Sequence, residues 1–251
     1  MSEEWIFYPC QMDEHKAFIS YDHGIRETIG SLPQRLVKYR IELNQPNPDG
    51  LAAEAEFSVL AALEAELRAR LEGVGGLLVG RITVDGARYY HAYADVEDDI
   101  FAALASQAAA GSDYNIDYAC LDDPEREGYW KELFPTDRDW QVIQDLKAIS
   151  TLREHGDLLE RPRRIDHWAY FPSLAARAGF EQWALAHEFV CETCVAENDL
   201  DFPHGLQVHH DATPEFDEIT AHSIALMEAC QSEGGRYDGW ETEVVPPNAT
   251  A

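Results

Sequence analysis

Apolar residues in this chain change their spacing several times, and those changes limit the folds it can adopt. At Val37, Tyr39, Ile41 and Leu43 they recur at every second position, with Lys38, Arg40 and Glu42 between them. That is the period of a strand with one buried face. A little further on, Phe57, Leu60, Leu63, Leu67 and Leu71 recur at steps of three and four, the period of a helix. Between the two lies Asn44-Gln45-Pro46-Asn47-Pro48-Asp49-Gly50, a dense turn cluster. Upstream, Trp5 to Met12 and Lys16 to Asp22 flank the polar break Asp13-Glu14-His15 and read as a hairpin. Downstream, Gly73, Gly75 and Gly76 stop the helix. Leu77 to Val84 and Ala87 to Ala94 then read as strands joined at Asp85-Gly86, a favoured hairpin dipeptide. A helix from about Asp98 to Ala109 and a strand around Tyr114 to Leu121 follow. This order predicts an α+β domain, with helices packed on a mostly antiparallel sheet.

The segment from Asp122-Asp123-Pro124 to Pro135 marks a border, although Tyr129, Trp130, Leu133 and Phe134 give it the makings of a packed connector. A helix with Asp137 as N-cap carries Trp140, Ile143, Leu146, Ile149 and Leu152 on one stripe and ends before Gly156. Then come strand Ile165–Phe171, helix Ser173–His187, strands Phe189–Val195 and Leu206–His210, helix Pro214–Cys230 and strand Tyr237–Val245. The order βαββαβ is that of a ferredoxin-like domain. A length of 251 residues suits two domains, and we place them at 1–134 and 135–251.

Nineteen Lys and Arg stand against 47 Asp and Glu, a net charge of −28. Each side of Pro135 carries −14, and from Ala178 to Gly235 there are 12 acidic residues with no Lys or Arg. Binding directly to a phosphate backbone requires cationic groups, so this composition argues against nucleic acid and for basic proteins or cations as partners. The acidic N-terminus, the lack of a long apolar run and an odd count of five cysteines lead us to expect a cytoplasmic protein without a membrane span.

Motifs that carry chemistry are few. Cys191-Glu192-Thr193-Cys194, with His204, His209 and His210 downstream, has neither a second CxxC nor finger spacing. It also lies in a predicted strand, where positions three apart face opposite ways. Asp98 with Asp99, and Glu215, Asp217 and Glu218, stand at helix starts and suit the helix dipole. Gly73-Val74-Gly75-Gly76 follows a helix, whereas a phosphate cradle opens one. We therefore expect no catalytic residue, cofactor or metal. Trp168 and Tyr170 share one strand face, opposite Ile165, His167, Ala169 and Phe171, and that face is open to a partner. Trp183 and Trp240 read as core.

Three strings between Trp140 and Val245 carry a resemblance: Leu152-Arg153-Glu154-His155-Gly156-Asp157, Ile165-Asp166-His167-Trp168-Ala169-Tyr170-Phe171 and Tyr237-Asp238-Gly239-Trp240-Glu241-Thr242, with the Gly205 to Asp211 strand between the last two. This region resembles the RraB-type regulators of ribonuclease E. The resemblance implies a ferredoxin-like fold and inhibition by docking on the partly basic RNA-binding region of that enzyme. Residues 4–134 resemble domain-of-unknown-function family 695, through Asp49-Gly50-Leu51, Glu56, Glu64, Gly80-Arg81 and Gly86-Ala87-Arg88-Tyr89-Tyr90, with no implied activity. Together these readings predict a non-catalytic protein-binding regulator. The residues expected to meet its partner are Trp168, Tyr170, Glu192, Asp199, Asp201, Asp211, Asp217 and Glu218. Two other readings stand beside it. One is an enzyme or metal protein using an acidic or Cys/His site. The other is a ligand-sensing module, which converging polar groups in a pocket of the first domain would favour.

Overall fold

A computed structural model of the chain describes residues 4–195 and 200–246, apart from the side chains of 193–195. The chain divides into two compact units, Met1–Thr136 and Asp137–Ala251. Both are antiparallel sheets with helices, so the α+β expectation holds.

The first unit contains β1 (Trp5–Met12), β2 (His15–Asp22), β3 (Arg35–Glu42), α1 (Glu54–Gly73), β4 (Leu77–Val84), β5 (Ala87–Tyr93), α2 (Asp98–Ala108), β6 (Ile116–Asp122) and the short α3 (Glu127–Trp130). Its six strands run in the order β1-β2-β4-β5-β3-β6. The β4–β5 turn has Asp85 at φ 45° and Gly86 at φ 72°, the left-handed pair that a two-residue hairpin turn demands. Val37, Tyr39 and Ile41 of β3 pack with Leu60, Leu63 and Leu67 of α1.

The inward stripe of α1 departs from the pattern read in the sequence. Phe57 is 55% exposed, and Glu56 is buried in its stead. Glu56 Oε1 accepts the Asn44 N–H at 2.7 Å and the Tyr114 hydroxyl, which makes a carboxylate tolerable at that depth.

The border segment is part of the first unit. Asp123 accepts hydrogen bonds from the Tyr93 hydroxyl at 2.7 Å and from the N–H groups of Glu127 and Gly128 at 2.7 and 2.9 Å. Tyr129 and Leu133 are fully buried. Glu132 takes Lys38 Nζ at 2.6 Å and His91 Nε2 at 2.8 Å. Burial alone would raise its carboxyl pKa, but these two partners hold it down at about 2.

The second unit contains α4 (Asp137–Glu154), β7 (Arg163–Phe171), α5 (Leu174–Ala186), β8 (Val190–Val195), β9 (His204–Ala212), α6 (Phe216–Ser232) and β10 (Arg236–Thr242). Asp137 is the first helical residue of α4 and not its cap. Ser173 caps α5 by accepting the Ala176 N–H at 3.1 Å. The strand order β10-β7-β9-β8 is what a βαββαβ chain produces when both crossovers lie on one face. Ala169, Phe171, Leu206 and Val208 meet Phe180 and Leu226 in one cluster, while Ile149 and Leu152 of α4 meet Ile165 and Ile219 in another.

Gly80 sits at a close approach in the first unit. A Cβ there would lie 2.6 Å from Leu133 Cδ1 and 3.0 Å from the Ser20 carbonyl oxygen. Leu133 is fully buried and has no room to retreat. Gly80→Ala is therefore expected to cost about 1–3 kcal/mol in urea unfolding followed by circular dichroism. Gly73→Ala meets nothing within 4 Å and should cost nothing, since alanine is the better helix former.

Candidate functional site

Strict alternation along β7 divides the second unit into two faces. Ile165, His167, Ala169 and Phe171 are buried under the helices, and Arg164, Asp166, Trp168 and Tyr170 point the other way. Among the described residues, no helix of this unit covers that second face. The antiparallel register sets Asp211 opposite Arg164, His209 opposite Asp166 and Gln207 opposite Trp168. Next along, Glu192 lies opposite Gln207 and the exposed Val190 opposite His209. On the other flank, Arg236 stands opposite Tyr170 and Glu241 opposite Asp166.

Several of the charges on this face are already engaged with one another. Arg164 pairs with Asp166 at 2.7 Å and with Glu192 at 3.5 Å. His209 lies 3.3 Å from Glu192, and Gln207 donates to Asp166 at 2.8 Å. The Arg236 guanidinium stands 5.7 Å from the Tyr170 ring centroid and 5.2 Å from that of Phe202, within cation–π range.

Of the eight residues expected to meet a partner, Trp168, Tyr170, Glu192 and Asp211 share this face. Asp201 is exposed in the β8–β9 connection, and Asp199 lies outside the described residues. Asp217 and Glu218 sit in the first turn of α6, on the helical side. There Glu218 accepts from the Thr213 N–H at 3.3 Å and from the Thr213 hydroxyl, so it closes the helix end. Arg164, Asp166, Gln207, His209 and Arg236 complete the face. Alternation along β7 could have supplied the first two, whereas the other three depend on pairing register.

Beneath the face lies a buried polar network that sequence patterns did not reveal. Asp145 of α4 is 0% exposed. It accepts Ser223 Oγ at 2.5 Å, Gln141 Nε2 at 2.8 Å and Trp240 Nε1 at 2.8 Å. Burial raises its carboxyl pKa, and those hydrogen bonds pull against the rise. His167 Nδ1 lies 2.7 Å from the Tyr237 hydroxyl, and its Nε2 lies 3.2 Å from His210 Nε2. The His210 ring meets His222 edge to face at 4.2 Å. Burial, reinforced by the neighbouring imidazoles, pushes His167 well below the usual histidine range and His210 down to about 4. Burial also lowers His222 and holds the Tyr237 hydroxyl well above the ordinary tyrosine range. The cluster is therefore neutral near pH 7.

Tyr237 and Trp240 stand three positions apart, yet both face inward. Simple alternation would send them to opposite faces. The register against β7 slips between Tyr237 and Gly239, and Gly239 sits at φ 101°. This is a bulge, and it restores the inward direction. The Tyr-Asp-Gly-Trp string is thus a packing device.

Among the described residues, no group of three or more His, Cys, Asp or Glu side chains is placed to hold a metal ion. Burial raises the Cys191 thiol pKa, away from a thiolate. The Cys194 side chain lies outside the described residues. No described helix is long and apolar enough to cross a membrane.

Residues 3–134, more than half the sequence, match the family described as "Family of unknown function (DUF695)". The chain belongs to that family. Residues 143–242 match a second family, "Regulator of ribonuclease activity B", or RraB. That match spans α4 from Ile143 to the end of β10 and so includes Asp145, the histidine cluster and the open face. At the family level this match supports regulation of ribonuclease activity as the role of residues 143–242. No curated protein matches the chain in sequence. Among solved structures, an unknown protein from Galdieria sulphuraria is 10% identical, with 84% of this chain and 99% of that one covered at a TM-score of 0.23. A putative glycine cleavage system transcriptional repressor is 7% identical, with 84% and 98% covered at a TM-score of 0.24.

The histidine cluster gives the RraB unit a defined response to acid. As pH falls from about 6.5 toward the His210 value of about 4, the unfolded chain takes up protons that the folded imidazoles refuse. Stability is therefore complete above the ordinary histidine pKa and declines through this window. In tryptophan-fluorescence urea titrations between pH 7.5 and 4.5, His210→Gln should flatten the decline. An unchanged slope in that variant would show that the acid response comes from other groups.

Proposed function

We propose that the chain is a non-catalytic, protein-binding regulator. In this reading the open sheet face of its RraB unit docks on a basic, RNA-binding segment of a ribonuclease E-type enzyme and blocks RNA access there. The match of residues 143–242 to the RraB family carries the proposal. Two physical features support it. The net charge of −28 steers a basic segment toward the protein and turns phosphate backbones away. Trp168 and Tyr170, half-buried on a face that no helix of their unit covers, are of the residue types that dominate binding energy at interfaces.

The seven described partner residues then divide by role. Trp168 and Tyr170 are anchors, and Glu192 and Asp211 lie beside them on the same sheet. Asp201, Asp217 and Glu218 add to the surrounding field. The enzyme reading has less behind it, since the matched family is described as a regulator.

Two measurements test the proposal, both against the basic segment of a ribonuclease E-type enzyme. Trp168→Ala combined with Tyr170→Ala should weaken affinity by about ten-fold or more, the size of an interface hot spot, with the unfolding midpoint near that of the parent. Raising salt from about 0.01 M to about 1 M shrinks the screening length from roughly 30 Å to roughly 3 Å and should slow association. Full affinity in the double variant would remove the open face from the proposal. Salt-independent association would remove the charge.

A further inference from the structure

The open face of the RraB unit holds a cation of its own against aromatic rings. Arg236, the first residue of β10, stands directly opposite Tyr170 of β7. Its guanidinium carbon lies 5.7 Å from the Tyr170 ring centroid and 5.2 Å from that of Phe202, within cation–π range of both. Phe202 belongs to the β8–β9 connection, so separate stretches of chain bring the two rings to one cation. Elsewhere among the described residues, Arg35, Arg68 and Arg126 each meet a single ring.

The two rings are open to exchange. Both are half-buried, and Arg236 is exposed. On its other side Tyr170 pairs with Gly205 of β9, which has no side chain to wall off the ring. An exposed cation–π contact is weak, so a second guanidinium can match what Arg236 gains there. Charge favours such a visitor. Phe202 lies inside the stretch from Ala178 to Gly235, which carries 12 acidic residues and no Lys or Arg, and Arg236 is the first cation after it. Arginine fits the rings better than lysine, because its planar, weakly hydrated guanidinium stacks on aromatic faces.

We infer, building on the open-face docking proposed above, that the Tyr170–Phe202 pair is a subsite for an arginine side chain of the basic partner segment. Arg236 occupies that subsite as an intramolecular competitor. A partner arginine enters only when Arg236 swings away. The apparent affinity is therefore lower than the intrinsic one, in proportion to the fraction of molecules in which the rings are vacant. The chain carries a brake on its own docking.

Fluorescence-anisotropy titration of the full chain with a labelled peptide of alternating arginine and serine, at fixed ionic strength, tests this. Arg236→Gln should tighten binding about two- to five-fold, the equivalent of one exposed cation–π contact. In a Tyr170→Leu background, which keeps apolar bulk but removes the ring, the same substitution should gain much less. Arg138→Gln removes the same charge from an exposed pair with Glu228 and should have little effect. If Arg236→Gln does not fold, as judged by circular dichroism, Arg236→Lys takes its place with the same direction of change expected. The inference is overturned if Arg236→Gln binds no more tightly than the parent. It is equally overturned if Arg138→Gln, or Arg236→Gln in the Tyr170→Leu background, gives the same gain, since overall charge would then be the cause. The docking reading fails separately, if the basic segment of a ribonuclease E-type enzyme is not captured while the peptide results hold. Capture of that segment with no gain from Arg236→Gln would sink the competitor alone.

Discussion

Asp145 places a carboxylate where water does not reach, and the second unit is arranged around satisfying it. Leaving a charge unpaired at that depth costs several kcal/mol, so donors must arrive from elsewhere in the chain. Gln141 comes from the same helix, Ser223 from α6 and Trp240 from β10. All three contacts form at once only when α4, α6 and β10 meet at one point. That requirement fixes the register of β10 on β7, because Trp240 can face inward only if the bulge at Gly239 precedes it. The same register places Arg236 beside Tyr170 and Glu241 beside Asp166 on the far side. The composition of the open face is therefore set by a residue that is itself fully buried.

The first unit solves the same problem in the same way. Asp123 is satisfied by a tyrosine hydroxyl and two backbone N–H groups, and one oxygen of Glu56 by a hydroxyl and an N–H. A chain with 47 acidic and 19 basic side chains cannot pair every acid with a cation. Neutral donors take over at depth, and arginine is used at selected points such as Arg163, which meets the buried Asp157 at 2.7 Å. Burial alone would raise the Asp157 carboxyl pKa. The N–H groups of Val245 and Leu159 and the Arg163 guanidinium hold it below the usual carboxylate range.

Where hydrophobic spacing was regular, the sequence was readable. The strand at Val37–Leu43, the Asp85-Gly86 hairpin, the βαββαβ order and the two faces of β7 all follow from local period and turn chemistry. Buried polar residues were not readable in this way, because their partners lie far off in sequence. Asp145 and Trp240 are 95 positions apart, and His167 and His210 are 43 apart. Glu56 and Phe57 show how local reasoning fails. Hydrophobicity favours the phenylalanine inside, and the hydrogen bonds that Asn44 and Tyr114 give Glu56 reverse that choice. The inward pair Tyr237 and Trp240 was hidden for a related reason, since a bulge breaks the period from which direction is inferred.

Charge alone cannot select a docking face on this molecule, since −14 falls on each side of Pro135. The open face of the RraB unit also carries its own cations, and Arg164 already occupies Asp166 and Glu192. A basic segment arriving there would exchange one guanidinium or ammonium for another at the same carboxylates, so the net Coulomb gain on contact is small. What the segment gains on contact would come from apolar surface, and on this face that means the ring of Trp168 and the side chain of Val190, with the Tyr170 ring shared with Arg236. The long-range field and the aromatic pair thus act at different stages. In the proposed docking, the field would govern how often a basic partner arrives, and the rings how long it stays.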